Sequence, residues 1–377
     1  MRLLFVTPRY GEVAGGAERA MQGFATRCCD GWQAEVATTC AVDHHLWHNE
    51  LPEGTERDGD VLVHRFPITQ RPAGLRFAGR SYLSQVASVA GSVWSAPMQR
   101  FLAAEAGRFD AIVLAPYLLG TTFWSAAAHP GRSLLVPCLH DEPDAHTAPM
   151  RALLGRVRGC LFLSRAEEAL ARSLAPIRSA RVVGAGVDAP PPLAAADVAA
   201  VRAAHGLERP YVICVGRVEE GKRVDALVAL MAQHRAAGHD LDLVLCGSGP
   251  YRPPTWVQRI GFVEDHVKRG LVAGAVASVS ASRLESFSLV LLEAWGEATP
   301  TLCDAACLPM AEHTADGGGG LTYRGTRSFT AGLQALQQPG ARERFGAAGR
   351  AYVEERFSWD AVGVRFRAAV EELACAS

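Results

Sequence analysis

Short apolar runs that end in Gly, Pro or a polar residue alternate along this chain with Ala-rich amphipathic segments, and that alternation restricts the fold more than any other feature. RLLFVT is followed by AERAMQGFATRCC and AEVATTC, and later DAIVLAP and SLLVPCLHD continue the series. A strand buried on both faces reads as a continuous apolar run, and an amphipathic helix between two such runs makes a βαβ unit, so the pattern predicts parallel sheets covered by helices. The series pauses at GAGVDAPPPLAAAD, residues 184 to 197, where three consecutive prolines suit a linker. It restarts with PYVICVG, a helix over about 223–236, LDLVLCG, VQRIGFV, GAVASVSAS and a helix after Glu285. Two Rossmann-like halves joined near residue 190 are therefore expected, and 377 residues exceed what one hydrophobic core organises.

Composition excludes several functions. Charged residues make up 20% of the chain and the net charge is −1, so the basic excess of a nucleic-acid binder is missing. No uninterrupted apolar run reaches the eighteen or so residues of a membrane span, and the start, MRLLFVTPRYG, reads as a strand and turn rather than a leader. Ten cysteines, two of them adjacent at Cys28 and Cys29, fit reduced apolar packing in a cytoplasmic protein. Cys303 and Cys307 lack a second Cys/His pair at zinc spacing, so no metal site is expected.

In doubly wound sheets ligands bind beyond the carboxyl ends of the strands, and four places there carry polar chemistry. Gly15 and Gly16 precede a helix beginning near Ala17, a turn suited to a phosphate, although a tight strand-to-helix turn requires glycines in any case. His140 follows LLVPCL. Arg217 and Lys222 follow VICVG, where two cations would grip a diphosphate or pair with Glu219 and Glu220 on a solvated turn. Lys222 is one of only two lysines in the chain.

The fourth place is ESFSLVLLE. With a helix starting near Phe287, Glu285 precedes its N-terminus and Glu293 lies about two turns inside, roughly 8–12 Å away at 1.5 Å per residue. That separation is too long for an acid/base pair on one bond but matches the two ends of a nucleotide sugar. The amides of Phe287, Ser288 and Leu289 would then face the diphosphate. On helix physics alone, an N-terminal carboxylate favoured by the dipole plus one exposed mid-helix glutamate is the better reading.

In order along the chain stand GGAER, LHD, GVD, VGR with a lysine five residues after the arginine, CGSGP, IGFV, ESFSLVLLE and RFSW. In that order and spacing the sequence resembles the GT-B, family 4 retaining glycosyltransferases, and TTCAVDHHLWHNELPEG followed by VHRFP looks like members that build bacterial polysaccharide or other cell-surface glycans. The resemblance implies an α/β GT-B fold, two Rossmann-like domains facing across a cleft. Residues 1–188 would form the acceptor domain and 189–357 the nucleotide-sugar donor domain, with a helix over 358–377 crossing back. Val362, Phe366, Ala369, Val370 and Leu373 share one face of that helix.

By the same resemblance Arg217 and Lys222 clamp the diphosphate, Glu285 contacts the donor sugar, Glu293 the ribose and Gly16 the distal phosphate, while His140 touches the transferred sugar. Glu285 and His140 are then the catalytic candidates. No metal or other cofactor is implied; the co-substrate is a UDP- or GDP-sugar and the acceptor a glycan, lipid-linked or small-molecule hydroxyl. Ser288 stands where the family usually has glycine, and Arg223 replaces the glycine that usually follows the lysine. Two other classes fit part of the pattern: a silent GT-B homologue that binds sugar or a protein partner, and a nicotinamide-dependent oxidoreductase, which lacks here its G-x-G-x-x-G. The segment from 76 to 102 mixes Arg76, Arg80 and Arg100 with apolar residues and is read as helices beside the acceptor, with at most peripheral membrane contact.

Overall fold

A computed structural model describes residues 1–13, 15–71 and 81–375. The chain divides into two compact units, Met1–Gly186 with Trp359–Ser377, and Val187–Ser358. In the first unit the strands are β1 (Arg2–Val6), β2 (Gln33–Thr39), β3 (Gly54–Asp58), β4 (Val61–Phe66), β5 (Ala111–Leu114), β6 (Ser133–Leu135), β7 (Gly159–Phe162) and β8 (Ala180–Val182). They form one sheet in the order β3-β4-β2-β1-β5-β6-β7-β8. All neighbours are parallel except β3, which pairs antiparallel with β4 at the edge. This edge strand, GTERD, is largely exposed and carries no apolar side chain, so the alternating pattern gave no sign of it.

The second unit holds β9 (Tyr211–Val215), β10 (Asp242–Cys246), β11 (Gln258–Gly261), β12 (Ala277–Ser280), β13 (Thr301–Asp304) and β14 (Gly320–Tyr323). They make a fully parallel sheet in the order β11-β10-β9-β12-β13-β14. Successive residues of one strand enter different cores: Leu243 and Leu245 of β10 pack on one face with Met231 and Leu333, and Val244 and Cys246 on the other with Leu271. Both faces are thus covered, as the uninterrupted apolar runs require. The strand order reverses between β9 and β12, which fixes where a ligand crevice opens in this unit. In the first unit the reversal lies between β1 and β5.

The proline stretch belongs to the second unit and is pinned rather than loose. Arg350 donates to the carbonyls of Ala189 and Pro190 at 3.3 and 3.2 Å, and Arg269 to that of Pro191 at 2.8 Å. Prolines lack an N–H, but their carbonyls still require donors, and the two arginines supply them. No helix among the described residues is long and apolar enough to cross a membrane. The arginine-bearing stretch considered above for membrane contact falls partly outside the described residues, Arg76 and Arg80 included.

Helix Trp359–Cys375 packs within the first unit. Phe366 stacks on Phe24 at 4.7 Å and on Phe5 at 6.2 Å, and Arg367 donates to the Cys28 carbonyl. The Trp359 ring lies edge-on to Phe24 and directly over Gly23 and Gly186, where any Cβ would collide with it. Ala is ordinarily preferred over Gly inside a helix by about 1 kcal/mol. Gly23→Ala is expected to reverse that preference and destabilise by about 1–3 kcal/mol, because the indole is already held by Phe24 and Arg27. A lower melting temperature, by roughly 2–4 °C per kcal/mol, checks this; a rise would contradict it.

Candidate functional site

The loop after β9 is stitched down by backbone. Gly216 donates to Cys246 at 2.9 Å, Val218 to Ser248 at 2.8 Å and Tyr251 to Val218 at 3.0 Å. A Cβ at Gly247 would strike Gly216 and one at Gly249 would strike Val218, so the glycines of CGSGP are what let this turn approach the loop that carries Arg217. Arg217 is half exposed and pairs with Glu219 at 2.7 Å, the local pairing that the sequence left open. Lys222 behaves differently. It reaches past Glu219 and Glu220 to Glu285, with Nζ 2.6 Å from the carboxylate.

Glu285 follows β12, and its side chain is only 13% exposed. Glu293 is also 13% exposed and pairs with Lys268 at 3.2 Å; Lys268 pairs in turn with Asp265 at 2.8 Å. Lys222 and Lys268 are the only lysines of the chain, so each glutamate of ESFSLVLLE faces one of them. Lys268 was not singled out from the sequence; the count of two lysines was the available signal, but only Lys222 stood beside a recognised motif.

The helix of this segment is Leu289–Gly296, two residues shorter at its start than expected. Ser288 is the cause: at φ 78° it lies in the left-handed region, so helical geometry cannot extend back to Phe287. Phe287 lies outside the helix with a buried ring edge-on to His313 and Phe357 at 4.8 and 5.3 Å. Its side chain is core, which leaves only its backbone for a ligand. Arg223 is also left-handed, at φ 53°, immediately before helix Val224–Ala236. The two positions where glycine was expected therefore keep a backbone that glycine adopts most easily.

In the first unit Gly15 precedes helix Gly16–Arg27. Glu18, in the first turn, folds back over Gly15 and pairs with Arg9 at 2.5 Å, so the anion beside this helix start is the chain's own carboxylate. Arg9 is buried, stacks near Trp47 and donates to the Val42 carbonyl.

His140, one-third exposed, follows β6 with Nδ1 3.6 Å from Glu142, whose carboxylate accepts from the Tyr117 hydroxyl at 2.9 Å. Two residues before it, Cys138 is held at φ 53°. What holds it is Glu167, fully buried, which the sequence reading passed over although Ser164-x-x-Glu167 is a capping box. Glu167 donates its N–H to the Ser164 hydroxyl, and its carboxylate accepts the amides of Leu139 at 2.7 Å and Leu163 at 2.6 Å, together with those of Ser164 and Cys138.

The described residues contain no group of three or more His, Cys, Asp or Glu that could hold a metal. Cys303 and Cys307 are buried, and burial pushes their thiols up to about 11 and about 12, so both stay protonated at neutral pH.

Against this geometry, residues 209–338, which span β9 to β14, match the family described as Glycosyl transferases group 1. That stretch is similar to a group 1 glycosyl transferase domain, and the chain has a GT-B fold. Sucrose-phosphate synthase from Thermosynechococcus elongatus superposes on it with a TM-score of 0.74, covering 100% of both chains at 19% identity. Anabaena HepE in complex with UDP and glucose gives 0.75, covering 99% of this chain and 100% of HepE at 16% identity. In sequence, the GDP-mannose-dependent monoacylated alpha-(1-6)-phosphatidylinositol monomannoside mannosyltransferase of Corynebacterium glutamicum is 30% identical over 175 residues. That match covers 41% of this chain and 45% of the mannosyltransferase, less than half the relative's length. Of the strand-end residues identified above, those of the second unit, from Arg217 to Glu293, fall inside the matched span, and Gly15, Gly16 and His140 do not.

The buried Glu167 generates a prediction. Burial raises its carboxyl from the ordinary 4.5 to about 8, against the amide donors that favour the anion. A raised folded-state value means that the folded chain holds the proton more tightly. Its contribution to stability is complete below about pH 4.5 and is lost as pH rises through about 8. Wild-type melting temperature is expected to fall between about pH 6 and about pH 9, and Glu167→Gln to flatten that slope. Parallel slopes for the two proteins would contradict it.

Proposed function

We propose that this chain transfers a hexose from a nucleoside-diphosphate sugar to an acceptor hydroxyl with retention of anomeric configuration. The observation that carries the reading is the pairing of Glu285 with Lys222 and of Glu293 with Lys268, on the strand-end side of the group 1 domain. Carboxylates so withdrawn from water need a compensating charge, and a flexible lysine can both hold the carboxylate in place and turn to a phosphate. Glu293 accepts from ribose hydroxyls and Glu285 from the hexose. Lys222, Arg217 and the amides at the start of helix Leu289–Gly296 neutralise the diphosphate. The relatives agree in chemistry: the mannosyltransferase is GDP-mannose-dependent and HepE was crystallised with UDP and glucose.

In the reaction the bond from the anomeric carbon to the phosphate oxygen breaks and a bond to the acceptor oxygen forms on the same face. The acceptor proton passes to the departing phosphate. Charge develops on the diphosphate, and the cations and amides stabilise it there without a metal. His140, whose Nδ1 lies on the Glu142 side, is the first unit's candidate for contact with the transferred sugar. The acceptor is a glycan, lipid-linked or small-molecule hydroxyl bound by the first unit. The reaction belongs to polysaccharide or cell-surface glycan assembly on the cytoplasmic side.

A panel of UDP- and GDP-sugars tests this by slow donor hydrolysis and by thermal shift, a ligand at 100 times its Kd adding about 2.7 kcal/mol. No hydrolysis and no shift with any donor would refute it, and the anomeric configuration of the product by NMR decides retention. The two glutamates are expected to fail in different ways. Glu293→Ala should weaken the free nucleoside diphosphate by roughly 1.5–3 kcal/mol in calorimetry. Glu285→Ala should leave that affinity nearly unchanged and lower kcat, because its partner is the sugar near the reacting carbon. Equal losses of nucleotide affinity in both variants would contradict the division.

A further inference from the structure

Ser288 occupies the N-cap of helix Leu289–Gly296, yet its side chain caps nothing. Its backbone is left-handed at φ 78°, a conformation disfavoured for any residue that bears a Cβ. The residue is 5% exposed, and its Oγ has no hydrogen-bond partner among the described residues. A buried hydroxyl without a partner is a second penalty, independent of the first. Glycine would remove both at once. The unpartnered hydroxyl sits three residues after Glu285, whose carboxylate Lys222 holds at 2.6 Å, and at a helix start that no side chain caps.

We infer that the Ser288 hydroxyl is itself a ligand-binding group, donating its hydrogen to an anionic oxygen of a nucleoside diphosphate. This deepens, and rests on, the reading of the second unit as the donor site. The adjacent helix start favours negative charge, and an O–H donor facing a charged oxygen makes a shorter and stronger bond than one facing a neutral acceptor. The bound diphosphate supplies the partner that the protein does not, so the hydroxyl's penalty is removed only in the complex, while the left-handed backbone persists in both states. Ser288 is accordingly a residue at which stability and affinity oppose each other.

UDP and GDP, titrated by calorimetry into wild type, Ser288→Ala, Ser288→Gly and Glu293→Ala, together with melting curves of the four unliganded proteins, test the inference. Whichever nucleotide binds wild type is expected to bind both Ser288 variants about 10-fold more weakly, the lower end for a hydrogen bond to a charged group. Ser288→Gly should unfold about 2–4 °C above Ser288→Ala, because only glycine relieves the left-handed backbone. Wild-type affinity in both Ser288 variants, with Glu293→Ala still weakened, overturns the hydroxyl's role and leaves the donor reading standing. Weakening in Ser288→Gly alone assigns the effect to the backbone and also overturns it. Binding of neither nucleotide to the wild-type protein overturns the donor reading and this inference with it.

Discussion

Glu285 and Glu293 are mostly withdrawn from water, and a carboxylate in that position is costly unless an opposite charge lies against it. The chain meets that demand with its only two lysines, although it has 38 basic residues to draw on. Arginine, planar and five-donored, would hold a carboxylate bidentately and resist letting go. An ammonium on a four-carbon stem is a compact charge that can swing. In the free protein each pair therefore sets a flexible cation against a largely buried carboxylate. The rest of the second unit's architecture places these two pairs.

That placement follows from topology. Strand order reverses between β9 and β12, and the loops beyond those two strands carry Lys222 and Glu285 respectively, so the first pair bridges the reversal. Glu293 is carried one step further by helix Leu289–Gly296, and Lys268 by the helix that follows β11. Left-handed residues stand before both helices that flank the reversal, Arg223 and Ser288. Each marks an abrupt entry into its helix, and no side chain caps either start. In the first unit the same logic operates with different chemistry. The Cys138–His140 turn is fastened by the buried Glu167, and the helix start at Gly16 faces Glu18 and Arg9.

Much of this was legible in the sequence because the signals are local. Continuous apolar runs identified the parallel strands, and the face made by Val362, Phe366, Ala369, Val370 and Leu373 is the buried face of the final helix. Arg217, Lys222, Glu285 and Glu293 were picked out because strand ends in doubly wound sheets are where ligands bind. What escaped depends on long-range or conformational facts. Lys268 gains meaning only when the helix after β11 comes beside Glu293, and Glu167 only when β6 and β7 bring the Leu139 and Leu163 amides to one carboxylate. The start of helix Leu289–Gly296 was misplaced because serine gives no warning of positive φ, as glycine would have. The edge strand β3 escaped because it has no apolar face to show.

The central claim is that the two glutamates hold opposite ends of one donor, and a crystal structure of the protein with an intact nucleoside-diphosphate sugar tests it most directly. The account predicts ribose hydroxyls within about 3.2 Å of Glu293, hexose hydroxyls within about 3.2 Å of Glu285, and the diphosphate between them on Lys222 and the amides beside Ser288. A donor bound with Lys222–Glu285 and Lys268–Glu293 undisturbed, and neither carboxylate touching it, would contradict the account.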